Sequence, residues 1–312
     1  CVFVSNYINA QILSFQHLTV DEGLPQNSIE SILQDSKGYV WVGCEGGVSR
    51  YDGVNFLNYT KQNGLTDNHI RKIFEDSKGI IWFATNNGIT SYNGKKFVKF
   101  FNEKENTISR IYDITEDNKG NLWFVTGANG LIKYDRKNFT YYSKENGLPT
   151  DSIRSCYADK QGNIWIGTMG EGVVKITAEK FYNYTKKNGL SGDSVLTIYQ
   201  DKTGNVWFGT NNGLSSFDGN RFYNINSKFK LENQKVNFII EDHAGIIWIC
   251  TSNNGIFTFD KDKVEHYSKK NGLSSDNILC AIQDTRGDLW FGTRDGGVCK
   301  LPIEKFKIFN KQ

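Results

Sequence analysis

The chain is predicted to be all-β, built from seven copies of one four-stranded antiparallel unit, and three observations predict it. Helical signals are almost absent, because alternating, β-branched and aromatic runs are broken by Gly, Asn and Asp about every ten residues. Seven tryptophans, Trp41, Trp82, Trp123, Trp165, Trp207, Trp248 and Trp290, recur 41 or 42 residues apart. Each stands six residues after an aspartate and three after a glycine, so that DxxGxxW is written seven times. Such a period is sought before anything else in a repeat chain.

Each element of the unit has a local reason. Strand a carries an aliphatic residue six positions before the motif Asp: Ile29, Ile70, Ile111, Ile153, Val195, Val236 and Ile278. The DxxG is then a hairpin turn, in which Asp accepts from local backbone amides and Gly supplies the bend. Strand b holds the Trp, and a Gly-rich loop leads to strand c. Asp52-Gly53, Asn93-Gly94 and Asp218-Gly219 end three of the c strands with dipeptides that favour a type I′ turn. Strand d carries apolar pairs three residues apart, such as Phe56/Tyr59, Phe97/Phe100, Phe139/Tyr142, Phe181/Tyr184 and Phe222/Ile225.

A spacing of three puts the two members on opposite faces of a strand, so both faces of each sheet must be covered. Radially arranged sheets, each sandwiched between neighbours, meet that demand, and about 40 residues is the period of a propeller blade. The expected architecture is a seven-bladed β-propeller of four-stranded antiparallel blades. An open β-solenoid is the competing reading, but its coils are much shorter.

Bulk properties fit one globular unit: 312 residues, 38% apolar, 14% aromatic, with 37 basic against 34 acidic residues and no basic run. No nucleic-acid partner is implied, and no apolar stretch approaches the roughly 20 residues of a membrane-spanning helix. The six cysteines, Cys1, Cys44, Cys156, Cys250, Cys280 and Cys299, lie far apart without CxxC spacing, so no metal site, cofactor or disulfide framework is suggested and most are read as small core residues. The tryptophans, used identically in every copy, are packing residues. Gly-rich runs are turns, since no helix follows to make a phosphate cradle.

What differs between copies is more informative. Five residues before each motif Asp, where strand a leaves the face that carries the irregular loops, stand Glu30, Arg71, Tyr112, Arg154, Leu196, Asn237 and Leu279. No packing rule produces that set. The b-to-c loops add Asn86, Asn87, Asn129, Glu171, Asn211, Asn212, Asn254, Arg294 and Asp295, donors and acceptors suited to hydroxyl-rich ligands. The predicted recognition site is Arg71, Tyr112 and Arg154, supported by Glu30, Asn237 and Arg294. Two guanidinium forks beside a phenol ring suit a carboxylate or sulfate on a sugar, so an acidic oligosaccharide is the expected ligand. No catalytic residue is assigned. Among the four histidines only His69 sits where a strand a begins, which leaves an enzyme reading resting on one residue.

DxxGxxW followed by a small residue and Thr, and about 20 residues later by an NGL turn, resembles the two-component regulator propeller repeat of bacterial sensor proteins. The NGL element stands at Asn63-Gly64-Leu65, Asn146-Gly147-Leu148, Asn188-Gly189-Leu190 and Asn271-Gly272-Leu273, with Glu22-Gly23-Leu24 as a variant. Repeats three and six have "NEKENTIS" and "KLENQKVN" instead. The resemblance implies a periplasmic sensor propeller of a hybrid histidine kinase, with a second propeller, further domains and the kinase outside this segment, and a response to oligosaccharides. The alternatives are a protein-interaction platform, through a second propeller or a homodimer, and a propeller enzyme like the streptogramin lyases. Residues 1–12 are read as an export-signal remnant or N-terminal extension, and 13–312 as one propeller opening a longer sensor. Both "LSFQHLTV" (Leu13 to Val20) and "IEKFKIF" (Ile303 to Phe309) fit the outer-strand pattern. The first is expected to close the ring.

Overall fold

A computed structural model describes residues 14–100, 110–261 and 263–303. It contains seven four-stranded antiparallel sheets in the spatial order a-b-c-d. Blade one is Ile29–Gln34, Val40–Cys44, Gly47–Tyr51 and Phe56–Tyr59, and blades two to six repeat that order along the chain. Blade seven takes a, b and c from Ile278–Gln283, Leu289–Thr293 and Val298–Leu301, and its strand d from Gln16–Leu18. Gln16, His17 and Leu18 pair with Lys300, Cys299 and Val298, so the N-terminal strand closes the ring as expected. Of the competing segment, residues 304–309 lie outside the described residues, as do residues 1–13.

Strand b is buried along its whole length in every blade, as the two-sided packing requires. The apolar clusters form between blades. Trp41 of blade one packs with Ile70, Ile73 and Phe83 of blade two, and Trp290 of blade seven packs with Leu24 and Ile29. The strand d pairs divide as predicted: Phe56 joins the blade seven side and Tyr59 the blade two side, while Phe181 and Tyr184 separate in the same way.

The NGL element is a capped 3-10 turn. Asn63 Oδ1 accepts the Thr60 N–H at 2.8 Å, Gly64 takes φ +115°, and Leu65 is fully buried. A left-handed backbone is the reason for glycine at that position. In repeat six Leu231, also fully buried, takes the place of the missing leucine; residues 101–109, which include the divergent segment of repeat three, lie outside the described residues.

One turn type differs from expectation. Type I′ needs positive φ at both central residues, yet in the turn after Asp52 only Gly53, at +107°, has it. Asp52 Oδ1 accepts from Val54 and Asn55 N–H, so the aspartate flanks the bend and Gly occupies the first central position, as in type II′.

On the face of the DxxG turns, adjacent blades are stapled. The last residue of strand a, Glu or Gln, accepts the N–H that follows the motif Asp of the preceding blade. Ser36 donates to Glu75, Ser77 to Glu116, Lys160 to Gln200, Lys202 to Glu241, His243 to Gln283 and Thr285 to Gln34, at 2.6 to 2.8 Å. Blade four has Ala158 at this position, and a cleft of about 360 Å³ opens there between blades three and four.

Candidate recognition site at the channel mouth

Every strand a is interrupted at the same point. Its pairing with strand b skips one residue, between Ile29 and Ser31, Ile70 and Lys72, Ile111 and Asp113, Ile153 and Ser155, Val195 and Thr197, Val236 and Phe238, and Ile278 and Cys280. The skipped residues are Glu30, Arg71, Tyr112, Arg154, Leu196, Asn237 and Leu279, the set that the sequence singled out. A β-bulge leaves its extra residue unpaired and re-aims the side chain. All seven line one axial cavity of about 710 Å³.

Tyr112 is the centre of the arrangement. Arg71 of blade two and Arg154 of blade four, which flank it in the ring, place their guanidinium carbons 4.9 and 4.7 Å from its ring centroid. Arg110 Nη1 donates to its hydroxyl at 3.2 Å. The ring also lies against the b-to-c loop, where a Cβ on Gly127 would fall 2.5 Å from Tyr112 Cε2. Arg71 is further held by Asn86, whose Oδ1 accepts from Nε at 2.6 Å, and by a loose 4.0 Å ion pair with Glu30.

Arg154, Lys235 and Arg294 also border the cavity, and among the described residues no carboxylate lies within ion-pair distance of them. Burial pulls the Lys235 ammonium below the ordinary lysine value, and Arg154 and Arg294 add to the shift. Asn237 is partly committed: its Nδ2 donates to Ile278 O at 2.8 Å and its Oδ1 accepts from Ser252 at 3.0 Å. The six predicted residues therefore share one cavity. Of the nine loop residues proposed beside them, only Arg294 lines it. Others bond away from the cavity or behind it: Asn212 Nδ2 donates to Ser191 O in the loop before strand a, and Asn86 holds Arg71.

Deeper in the channel, Lys72 Nζ lies 3.2 Å from Asp113 Oδ1 and 5.6 Å from the Phe238 ring of blade six. Burial opposes the Lys72 charge, but Asp113 outweighs it and raises the pKa. His69 and Glu45 line the cavity beside Glu30. Burial lowers the His69 pKa, with Arg71 contributing. Of the remaining histidines, His243 also lines the cavity, while His17 and His266 contact backbone carbonyls of Gly272 and Asn254. The five described cysteines are buried and free, and burial drives the Cys280 thiol up to about 12.

Together these features define a closed seven-bladed repeat propeller whose copies diverge where they face the axis. Six of its repeats, residues 23–46, 64–87, 107–128, 147–170, 189–212 and 272–295, match the family model described as two component regulator propeller, so the chain carries that family's repeat. Similar solved structures include the extracellular domains of two putative two component systems from B. thetaiotaomicron. The first is 25% identical with TM-score 0.82, covering 93% of this chain and 42% of that one; the second is 22% identical with TM-score 0.78, covering 93% and 40%. The chain thus spans about two fifths of those proteins. Virginiamycin B lyase from Staphylococcus aureus, 16% identical with TM-score 0.75 over 92% of this chain and 98% of that one, shares the fold alone. A comparison with curated proteins gives no match. Among the described residues no helix is long and apolar enough to cross a membrane.

Proposed function

We propose that this propeller is an extracytoplasmic sensing domain of a hybrid two-component signalling protein, and that its channel mouth recognises an acidic oligosaccharide. The observation that carries the reading is the Arg71–Tyr112–Arg154 stack, assembled from three consecutive blades and bordered by the cations Lys235 and Arg294. Guanidinium forks bind carboxylates in bidentate fashion, and a phenol ring offers a flat apolar face to a pyranose. Because the donors sit on bulges of a closed ring, they are held rigidly before any ligand arrives. Glu30, beside Arg71, and Glu45 repel a ligand charged along its whole length and favour one with a localised acid. The extracellular character of the two B. thetaiotaomicron domains supports the placement outside the cytoplasm.

Calorimetric titration with a uronic-acid trisaccharide and its neutral counterpart tests this. Binding of the acidic sugar is expected to fall at least tenfold in Arg71→Ala with Arg154→Ala, and to persist in Lys78→Ala with Lys119→Ala, two exposed lysines of the opposite face. Equal effects of the two pairs, or equal affinity for both sugars, would overturn the assignment.

A further inference from the structure

We propose that Glu30, Glu45 and His69 form a binding site for one divalent cation of zinc character at the rim of the channel. The site joins two blades. Glu30 is the bulge residue of blade one, Glu45 follows Cys44 in the b-to-c loop of the same blade, and His69 immediately precedes Ile70 of blade two. One donor atom from each residue falls within 4.8 Å of the other two.

The imidazole points to a missing partner. His69 Nδ1 stands 3.8 Å from Glu45 Oε1, too far for a hydrogen bond, and Nε2 is buried with no partner. A desolvated, unpaired ring nitrogen is costly, and the ring's other nitrogen faces Glu45 without bonding it. The backbone holds the ring in place: His69 N–H donates to Asp67 Oδ1 at 2.9 Å, and its carbonyl accepts from Asn86 N–H at 3.3 Å.

Metal–donor bonds of about 2.1 Å put tetrahedral donors about 3.4 Å apart, so donors that lie within 4.8 Å of one another need to close by at most about 1.4 Å. Glu45, whose side chain is 53% exposed, is free to make that move. Two carboxylates neutralise a dication, and an imidazole beside them selects zinc over the oxygen-seeking calcium and magnesium. Arg71 also faces the cluster through Glu30, and capture of Glu30 by a cation would end that loose contact while Asn86 and Tyr112 keep the guanidinium in place.

Calorimetric titration of zinc chloride into the chain under reducing conditions is expected to show one equivalent bound, with affinity at least tenfold weaker in Glu45→Gln and in His69→Ala. Cobalt(II) gives a second readout, since its visible d–d bands should appear in the parent and vanish in Glu45→Gln, whose metal-free melting should match the parent. No zinc uptake at millimolar concentration would overturn the site. So would uptake unchanged in both variants, or full displacement of zinc by millimolar calcium.

Discussion

Asp159 and Trp165 act as one unit: the Asp159 carboxylate accepts the indole N–H through Oδ2 at 2.8 Å and the Gln161 and Asn163 backbone N–H groups through Oδ1 at 3.1 and 2.7 Å. The same indole bond recurs in all seven blades, at 2.7 to 3.0 Å. One carboxylate thus folds the turn and supplies a partner for the only polar atom of the buried ring. The six-residue separation in DxxGxxW follows from that double duty.

Asp159→Ala leaves a buried indole N–H and two turn amides without an acceptor, and should cost about 2 to 4 kcal/mol. Asp159→Asn keeps one acceptor oxygen and should cost about half as much. Trp165→Ala should cost about 3 to 5 kcal/mol through lost packing. The double variant should fall short of the sum, because the two residues share one interaction. Urea denaturation measures all four; full additivity would show that the bond contributes nothing.

Arg136 bridges two blades, donating to Asp76 Oδ2 and Glu116 Oε1 at 2.6 Å each and to Gly120 O at 2.7 Å. Burial alone would raise the Asp76 pKa, but the bonds from Arg136 and Trp82 reverse this and lower it. A depressed carboxylate pKa contributes stability that is present above the unfolded value, about 3.9, and is lost as pH falls through the folded one. Arg136→Ala should therefore cost about 3 kcal/mol near neutrality, and the gap from the parent should narrow below about pH 4. Denaturation curves across pH would show it; a gap that widens in acid contradicts the pairing.

Gly127→Ala should displace the Tyr112 ring, because the new Cβ meets it at 2.5 Å, while burying no polar group. The expected result is a melting temperature close to that of the parent with acidic-sugar binding weakened severalfold. Undiminished binding would remove Tyr112 from the recognition surface.

Ala158→Gln should supply the staple that blade four lacks, reaching the Asn118 N–H as Gln200 reaches Lys160. A gain of about 1 kcal/mol is expected, with slower amide exchange at residue 118. No change in exchange there would mean that the side chain does not span the cleft.

The period, the blade boundaries and the inter-blade role of pairs such as Phe56/Tyr59 were legible because each rests on a repeated demand of packing. The mouth residues Glu30, Arg71, Tyr112 and Arg154 were legible for the opposite reason, as irregularities at one register position. Lys235 and Glu45 escaped notice, since nothing local distinguishes a lysine before a strand or a glutamate in a loop from solvated surface until the ring closes. None of the loop asparagines lines the cavity; Asn86 holds Arg71 and Asn212 bonds Ser191 O, roles that composition alone does not separate from ligand contact. The Lys72–Asp113 pair was hidden as well: both residues stand one place beyond a bulge, and a simple two-residue alternation cannot be carried across a bulge.

The clasp between Gln16–Leu18 and Val298–Leu301 has a temporal consequence. Synthesis runs from the N-terminus, so the outer strand of blade seven is made before blades one to six, and its partner is made after them. Until then the short strand has no native ladder to join, while blades one to six can already assemble along the nascent chain. Closure must wait for contacts spanning nearly the whole sequence, the kind that slow folding most. The polar Gln16 and His17 of that three-residue strand suit the wait, since short, polar edges resist pairing with the wrong chain.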